Sequence, residues 1–241
     1  ENPEEYFERM NLPLPDEMNP ALPLGTNNLT VQENVDAFSS FAQDGSFTEG
    51  YMIESITSPD GEVVFEHEPV VNEVFKDSTA FLMSDMLQES FRTGSAYHIS
   101  DFYDSIDGEY DFAAKTGTSN SFVDSWFMGY NPEVSLGLWM GYDANIPQVS
   151  GYEGEEYLHI YNWRNLTQEL LALAPDQMGR GASFQQPDSV REMEYCALTM
   201  ETESDCEDNL DEPVEGLVAE DTRLSDKSSL NDPAIQSRMG T

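Results

Sequence analysis

Along residues 30 to 45, TVQENVDAFSSFAQDG, apolar side chains fall at Val31, Val35, Phe38 and Ala42, the interval that gives a helix one buried face. Thr30 and Glu33 supply both halves of a capping box, and Gly45 stands where a helix end needs a left-handed backbone. The next run, YMIESITSPDGEVVFEH, reads as a hairpin turning at Ser58-Pro59-Asp60-Gly61. A second helix is predicted over 78–92, with Ser78 as its cap and Ala80, Met83, Leu87 and Phe91 on one face before Gly94. The segment SAYHISDFYDSIDGEY then reads as a loop, His98 within it, because its apolar positions are sparse among acids and serines.

Three strands follow, in YDFAAKTGT, FVDSWFMGYNP and VSLGLWMGYD, the last two joined by a tight turn at Asn131-Pro132-Glu133 and so paired antiparallel. Trp126 and Trp139 are expected in the sheet core; Asp124 and Ser125 either border a site or, as is commoner for Asp124, mark a turn or strand end. A helix over 156–174 offers Leu158, Tyr161, Leu166, Leu170 and Leu173 to cover that sheet, and Pro175 stops it. Helices before and after a strand meander give an α+β layer over residues 1–175. From 176 to 241 the chain turns acidic and poor in aromatics, with Pro187, Pro213 and Pro233, as in an appended module or a partly disordered extension. Asn28 and Asn165 each open an Asn-x-Thr triplet, a pattern common by chance.

Charge changes this picture more than length does. The chain has 241 residues, 47 acids against 10 Lys and Arg, and a formal net charge of −37. Such a surface repels duplex nucleic acid and anionic lipid; it suits either a cationic partner or a solvated, high-salt setting, and the scattered acids favour the latter. Cys196 and Cys206 lie ten positions apart, which fits one disulfide or two thiols but no zinc motif, and no metal or cofactor is implied. Glu1 is not an initiator methionine and no apolar run reaches membrane-span length, so an anchor is expected upstream of these residues.

Against that acidity, lysine occurs three times, at 76, 115 and 227, and Lys115 begins Lys-Thr-Gly-Thr. A compact cation at Lys115, hydroxyls at Thr116 and Thr118, and a bare backbone at Gly117 suit a carboxylate lying beside a carbonyl under attack. The Thr118 N–H could face a developing oxyanion. Alternation sets Lys115 and Gly117 on one face and the two threonines on the other. All four serve one ligand only if the strand is an edge or twists at Gly117.

The stretch AAKTGTSN…DSWFMGYNPEVSLGLWMGYD resembles the third motif and following hairpin of the transpeptidase domain of bifunctional, class A penicillin-binding proteins. The upstream segments PALPLGTNNLTVQENVDAF and STAFLMSDMLQESF, and the tail with its two cysteines, are similar to that family as well. The resemblance implies a penicillin-binding, β-lactamase-like fold: an antiparallel sheet flanked by helices, here incomplete. It implies peptidoglycan cross-linking by serine acyl transfer on D-Ala-D-Ala stem peptides, inhibition by β-lactams, and a place outside the bacterial cell membrane. Lys115 and Thr118 take catalytic roles by this likeness, and Thr116, Gly117 and Thr118 bind substrate. The family's S-x-x-K is absent and the sole S-x-N, Ser229-Leu230-Asn231, follows the lysine motif where the family's precedes it. The nucleophile is therefore expected on an upstream part of the same polypeptide, and these residues alone are expected to be inactive. Alternatives are a noncatalytic acidic module derived from such an enzyme, or a β-lactamase or β-lactam sensor.

Overall fold

The computed structural model describes residues 2–15, 20–148, 154–197 and 213–222. Helix α1 (Pro3–Arg9) starts at an Asn2 cap, and its Tyr6 ring stacks on Phe75 at 5.4 Å. Helix α2 (Val31–Ala42) has the complete capping box: the Glu33 N–H donates to Thr30 Oγ1 at 3.1 Å, and the Thr30 N–H donates to the Glu33 carboxylate at 2.6 Å. Two of the unpaired donors at the helix start are thereby satisfied. Gly45, at φ +92°, leaves α2 so close to Phe75 that a Cβ would stand 2.3 Å from the Phe75 carbonyl oxygen, so no side chain fits there.

Strand β1 (Ser46–Thr48) pairs antiparallel with β4 (Val71–Glu73), and between them β2 (Ser55–Thr57) and β3 (Val63–Glu66) make the separate hairpin. Its turn closes as expected, the Gly61 N–H donating to Ser58 O at 2.9 Å with Gly61 at φ +86°. All seven strand residues of this hairpin are exposed, Ile56, Val63, Val64 and Phe65 among them.

Helix α3 (Asp77–Gln88) begins one residue before the expected cap, and Ser78 lies buried inside it. The predicted face holds: Ala80 and Phe91 are fully buried, Phe91 in a 3-10 turn that extends α3. The predicted loop is partly a helix, α4 (Ser100–Ile106), entered by a 3-10 turn at Tyr97–Ile99. Ile99, Phe102, Tyr103 and Ile106 have helical spacing, and the Tyr103 ring stacks on Phe91 at 4.4 Å. Tertiary packing therefore makes a helix of a segment that its acids and serines disguise.

Strands β5 (Ala113–Thr118), β6 (Ser125–Tyr130) and β7 (Ser135–Met140) form one antiparallel sheet in the order β5-β6-β7. The β6–β7 turn is fixed by Asn131, whose Oδ1 accepts from Glu133 N and Val134 N at 2.9 and 2.8 Å. Its Nδ2 donates to Met178 O at 2.8 Å, tying down the chain beyond the last helix. On one sheet face α2 sets Val35 over Gly137, and Phe38 and Phe41 beside Tyr130.

Helix α5 (Leu158–Leu173) covers the other face, but with a stripe different from the leucines expected. His159, Ile160, Trp163 and Thr167 are buried, whereas Leu158, Leu166 and Leu173 are exposed; Tyr161 and Leu170 are partly buried against the core. Trp163 decides the rotation. Its ring lies on Phe127 at 4.6 Å and edge-on to Phe112 at 5.7 Å, and its indole N–H donates to Leu136 O at 3.1 Å. Trp126 and Trp139 are half-buried partners on the opposite face.

The chain forms two compact units, Glu1–Gln185 and Gln186–Thr241. After Pro175 the first unit continues to Gln185, where the Phe184 N–H donates to Asp111 at 3.1 Å and its ring packs edge-on to Tyr130. In the second unit β8 (Val190–Cys196) pairs antiparallel with β9 (Pro213–Ala219). Cys196 is fully buried and disulfide-bonded, and Cys206 lies outside the described residues.

Candidate active site

Strand β5 forms because Ala113 and Ala114 are fully buried, while Lys115 and Thr118 are exposed and Thr116 and Gly117 half-buried. Its inner edge pairs residue for residue with β6: Lys115 with Met128, Gly117 with Trp126, Thr118 with Ser125. Among the described residues its outer edge pairs with no other strand, so β5 is an edge strand.

The direction of each N–H follows from the pairing. Ser119 N–H donates to Asp124 O at 3.0 Å, and hydrogen-bonded and non-hydrogen-bonded pairs alternate along an antiparallel ladder. Thr118 with Ser125, and Thr116 with Phe127, are then the non-bonded pairs. Their peptide groups point to the open edge. The Lys115 ammonium agrees with this, reaching round to donate to Thr116 O at 2.5 Å. The side chains alternate between faces, but the Lys115 cation and two outward N–H groups, of Thr116 and Thr118, share one edge. Thr116 Oγ1 donates to Ser95 Oγ at 2.6 Å, a partner that the sequence reading did not identify. A Cβ at Gly117 would sit 3.2 Å from Trp126 Cβ, a tight approach that a small shift of the neighbour would have to relieve.

Beyond Thr118 the chain turns tightly back into β6. Ser121 and Phe122 both take left-handed backbone angles, φ 60° and 54°. Such conformations cost on the order of 1–3 kcal/mol each for residues with side chains and persist where neighbours over-determine them. Here Gln148 braces the loop, its N–H donating to Phe122 O and its Nε2 to Val123 O, both at 2.8 Å. Asp124 closes it through Ser119: Asp124 N donates to Ser119 Oγ at 2.8 Å, and that hydroxyl donates to Asp124 Oδ2 at 3.1 Å.

At the other end of β5, burial pushes the Asp111 carboxyl above the ordinary range, opposed by hydrogen bonds from Phe184 N–H and the Gln88 amide. Burial likewise pushes Tyr130 up, partly offset by its bond to Ser84 Oγ at 3.1 Å. His98 stands exposed, its ring stacked on Tyr157 at 3.6 Å. No group of His, Cys, Asp and Glu among the described residues is arranged to hold a metal ion. A cavity of about 240 Å³ lies away from β5, lined by Met10, Thr30, Asp36 and Phe47 among others. Its carboxylates are engaged already, Asp36 by the Gly50 N–H and Glu49 by the Asn11 amide. Ser229-Leu230-Asn231 lies outside the described residues.

An antiparallel sheet between helices, with a lysine-threonine-glycine motif on its edge strand, defines an α+β protein of the penicillin-binding class. The family model for the penicillin binding protein transpeptidase domain matches residues 19–149, more than half of the chain, and the chain belongs to that family. It is 30% identical over 191 residues to penicillin-binding protein 1F of Bacillus subtilis, an alignment covering 78% of this chain and 25% of that protein. The chain thus spans about a quarter of this relative's length. Among solved structures it is similar to penicillin-binding protein 1A of Haemophilus influenzae, with TM-score 0.68 and 19% identity over 92% of this chain and 37% of that one. Penicillin binding protein 3 of Mycobacterium tuberculosis, complexed with aztreonam, aligns with TM-score 0.50 and 18% identity over 76% of this chain and 48% of that one.

Proposed function

We propose that these residues form the edge-strand wall of a serine D,D-transpeptidase site that cross-links peptidoglycan stem peptides. The observation that supports this reading is the outer edge of β5, which pairs with no strand among the described residues and where the Lys115 ammonium donates to Thr116 O at 2.5 Å. In the reaction a serine oxygen bonds to the penultimate D-alanine carbonyl as the C–N bond breaks, and the hydroxyl proton leaves on the departing D-alanine amine. An amine of a second stem peptide then takes the acyl group and returns a proton to the serine. The Thr118 N–H donates to the oxyanion of each tetrahedral intermediate. Thr116 and Thr118 hydroxyls bind the terminal carboxylate, and Gly117 lets the substrate lie against the strand. Lys115 supplies the cation that steadies the carboxylate and eases proton transfer.

The serine and its base come from a part of the same polypeptide outside these 241 residues, since no S-x-x-K occurs in them. A β-lactam, whose carboxylate and strained carbonyl mimic the substrate, would bind the same edge; a relative of this fold is complexed with aztreonam. The site works outside the cell membrane, held there by a segment beyond this sequence; no described helix is long and apolar enough to cross one.

The test is labelling of the complete protein with a fluorescent penicillin. Lys115→Ala should slow acylation by about a hundredfold or more, and the 241 residues alone should not label. Full-rate labelling of the lysine variant, or stable labelling of the isolated chain, would overturn the reading. No labelling of the complete native protein would instead favour a noncatalytic acidic module.

A further inference from the structure

The carboxylate of Asp124 bridges the two outer strands of the sheet. Its Oδ2 accepts from Ser119 Oγ, one residue past Thr118 on β5, and its Oδ1 accepts from the Trp139 indole N–H on β7 at 3.1 Å. The Asp124 backbone grips the same serine twice more, through its N–H to Ser119 Oγ and its O from Ser119 N–H. Trp139 is itself fixed: it pairs across the sheet with Trp126, and a Cβ at Gly141 would stand 2.3 Å from its ring. The half-buried indole thus holds one oxygen of a carboxylate, and the other oxygen holds the residue that follows Thr118. The strained turn at Ser121 and Phe122 lies inside this clasp, and its strain is what the clasp and Gln148 withstand.

We propose that Asp124, working through Ser119 and Trp139, is a positioning residue for the Thr118 N–H, holding that donor in place for the oxyanion. It touches no reacting atom. The proposal rests on the transpeptidase reading above. A Thr118 N–H displaced by even a fraction of an ångström would still lie on the outer edge of β5. It would no longer meet a charge that develops only in the transition state. Loss of the clasp should therefore appear in the rate of acylation and not in the preceding binding step.

The experiment compares Asp124→Ala, Asp124→Asn, Trp139→Phe and Ser119→Ala in the complete protein, with Lys115→Ala as reference. Acylation by a chromogenic penicillin is resolved into dissociation constant and first-order rate, and thermal melting is followed in parallel. Asp124→Ala should lower the first-order rate about tenfold to a hundredfold, as a small misplacement of a catalytic donor does, with the dissociation constant changed less than about twofold. Asp124→Asn keeps an acceptor for the indole and should recover part of that rate. Trp139→Phe combined with Asp124→Ala should be no slower than Asp124→Ala alone, because both remove one linkage. Ser119→Ala deletes a single exposed hydroxyl and carries the test if Asp124→Ala fails to fold. Unchanged first-order rates in folded Asp124→Asn and Ser119→Ala, with Lys115→Ala impaired, overturn the positioning role alone. A fully active Lys115→Ala overturns the transpeptidase reading beneath it.

Discussion

Adding one methyl group at Gly129 should unseat α5. Gly129 faces Trp163, and an ideal Cβ there would lie 2.1 Å from ring atom Cζ2, 2.7 Å from Cε2 and 2.9 Å from Cη2. Carbon atoms rest at about 3.5–4.0 Å, so the closest overlap is roughly 1.5 Å. The indole cannot yield by changing rotamer, since it is fully buried, packed on Phe127 and Phe112, and tied to Leu136 O. Overpacking of this kind costs about 1–3 kcal/mol, and a broken indole bond about 1 more. Alanine recovers about 0.5 kcal/mol of backbone entropy, for a net loss of about 1.5–3.5 kcal/mol in Gly129→Ala. Urea unfolding followed by tryptophan fluorescence should then show a midpoint about 1 M lower, given slopes of about 1–3 kcal/mol per molar. Trp163→Leu alone should also destabilise, by about 3 kcal/mol, yet it opens the space the methyl needs. The double variant should therefore be better than the sum of the singles by at least about 1 kcal/mol. A midpoint for Gly129→Ala within about 0.3 M of the parent, or strict additivity, would refute this account of how α5 is seated.

Two further outcomes concern charge. Burial raises the carboxyls of Asp36, Asp85 and Asp111 and lowers the imidazole of His159. Each raised carboxyl contributes stability that is full below its unfolded value and lost as pH rises through its folded value. His159 contributes stability present above its unfolded value and lost as pH falls through its lower folded value. Between pH 7 and 5 the two effects oppose, so His159→Leu should lose less, or gain more, on acidification than the parent does in urea midpoints; parallel curves would exclude the histidine effect. A net charge of −37 also makes the fold self-repelling. Melting temperature should rise between about 0.05 and 1 M sodium chloride, over which the screening length falls to about 3 Å; a flat response would show that the acids are already far enough apart.

Much of the candidate site is legible in the sequence because it is local. Lys115-Thr116-Gly117-Thr118 follows a buried alanine pair, and the strand pattern places it at a fixed register against Trp126 and Met128. The edge position could be stated only as a condition, because strand order depends on contacts far apart in sequence. The capping box of α2 and the Ser58–Gly61 turn are equally local and formed as read. Errors arose where distant packing chose among options. The sequence offers α5 several leucine stripes, and the bulk of Trp163 against bare Gly129 selects the face actually buried. Helix α4 is short, and its Ile99, Phe102, Tyr103 and Ile106 spacing was outweighed by the acids and serines between them. Ser78 has the chemistry of a cap but lies two positions past the actual cap, Lys76, inside α3. The local sequence around Asp124 fits a turn or strand end as readily as a site border, and its reach to Trp139 depends on β7 lying beside β6.

The β2–β3 hairpin sets the terms on which this protein can be handled. It presents Ile56, Val63, Val64 and Phe65 to solvent on a ribbon paired with no third strand among the described residues. Such open edges template pairing between molecules, and charge is one of the ordinary deterrents. Glu54, Asp60, Glu62, Glu66 and Glu68 line this segment, and it contains no lysine or arginine. Acid and salt therefore pull in two directions at once. Either relieves the repulsion that strains each folded molecule, and either removes the repulsion that keeps one hairpin from meeting another. Conditions that maximise the melting temperature of a single molecule are thus not the ones that keep a concentrated solution clear.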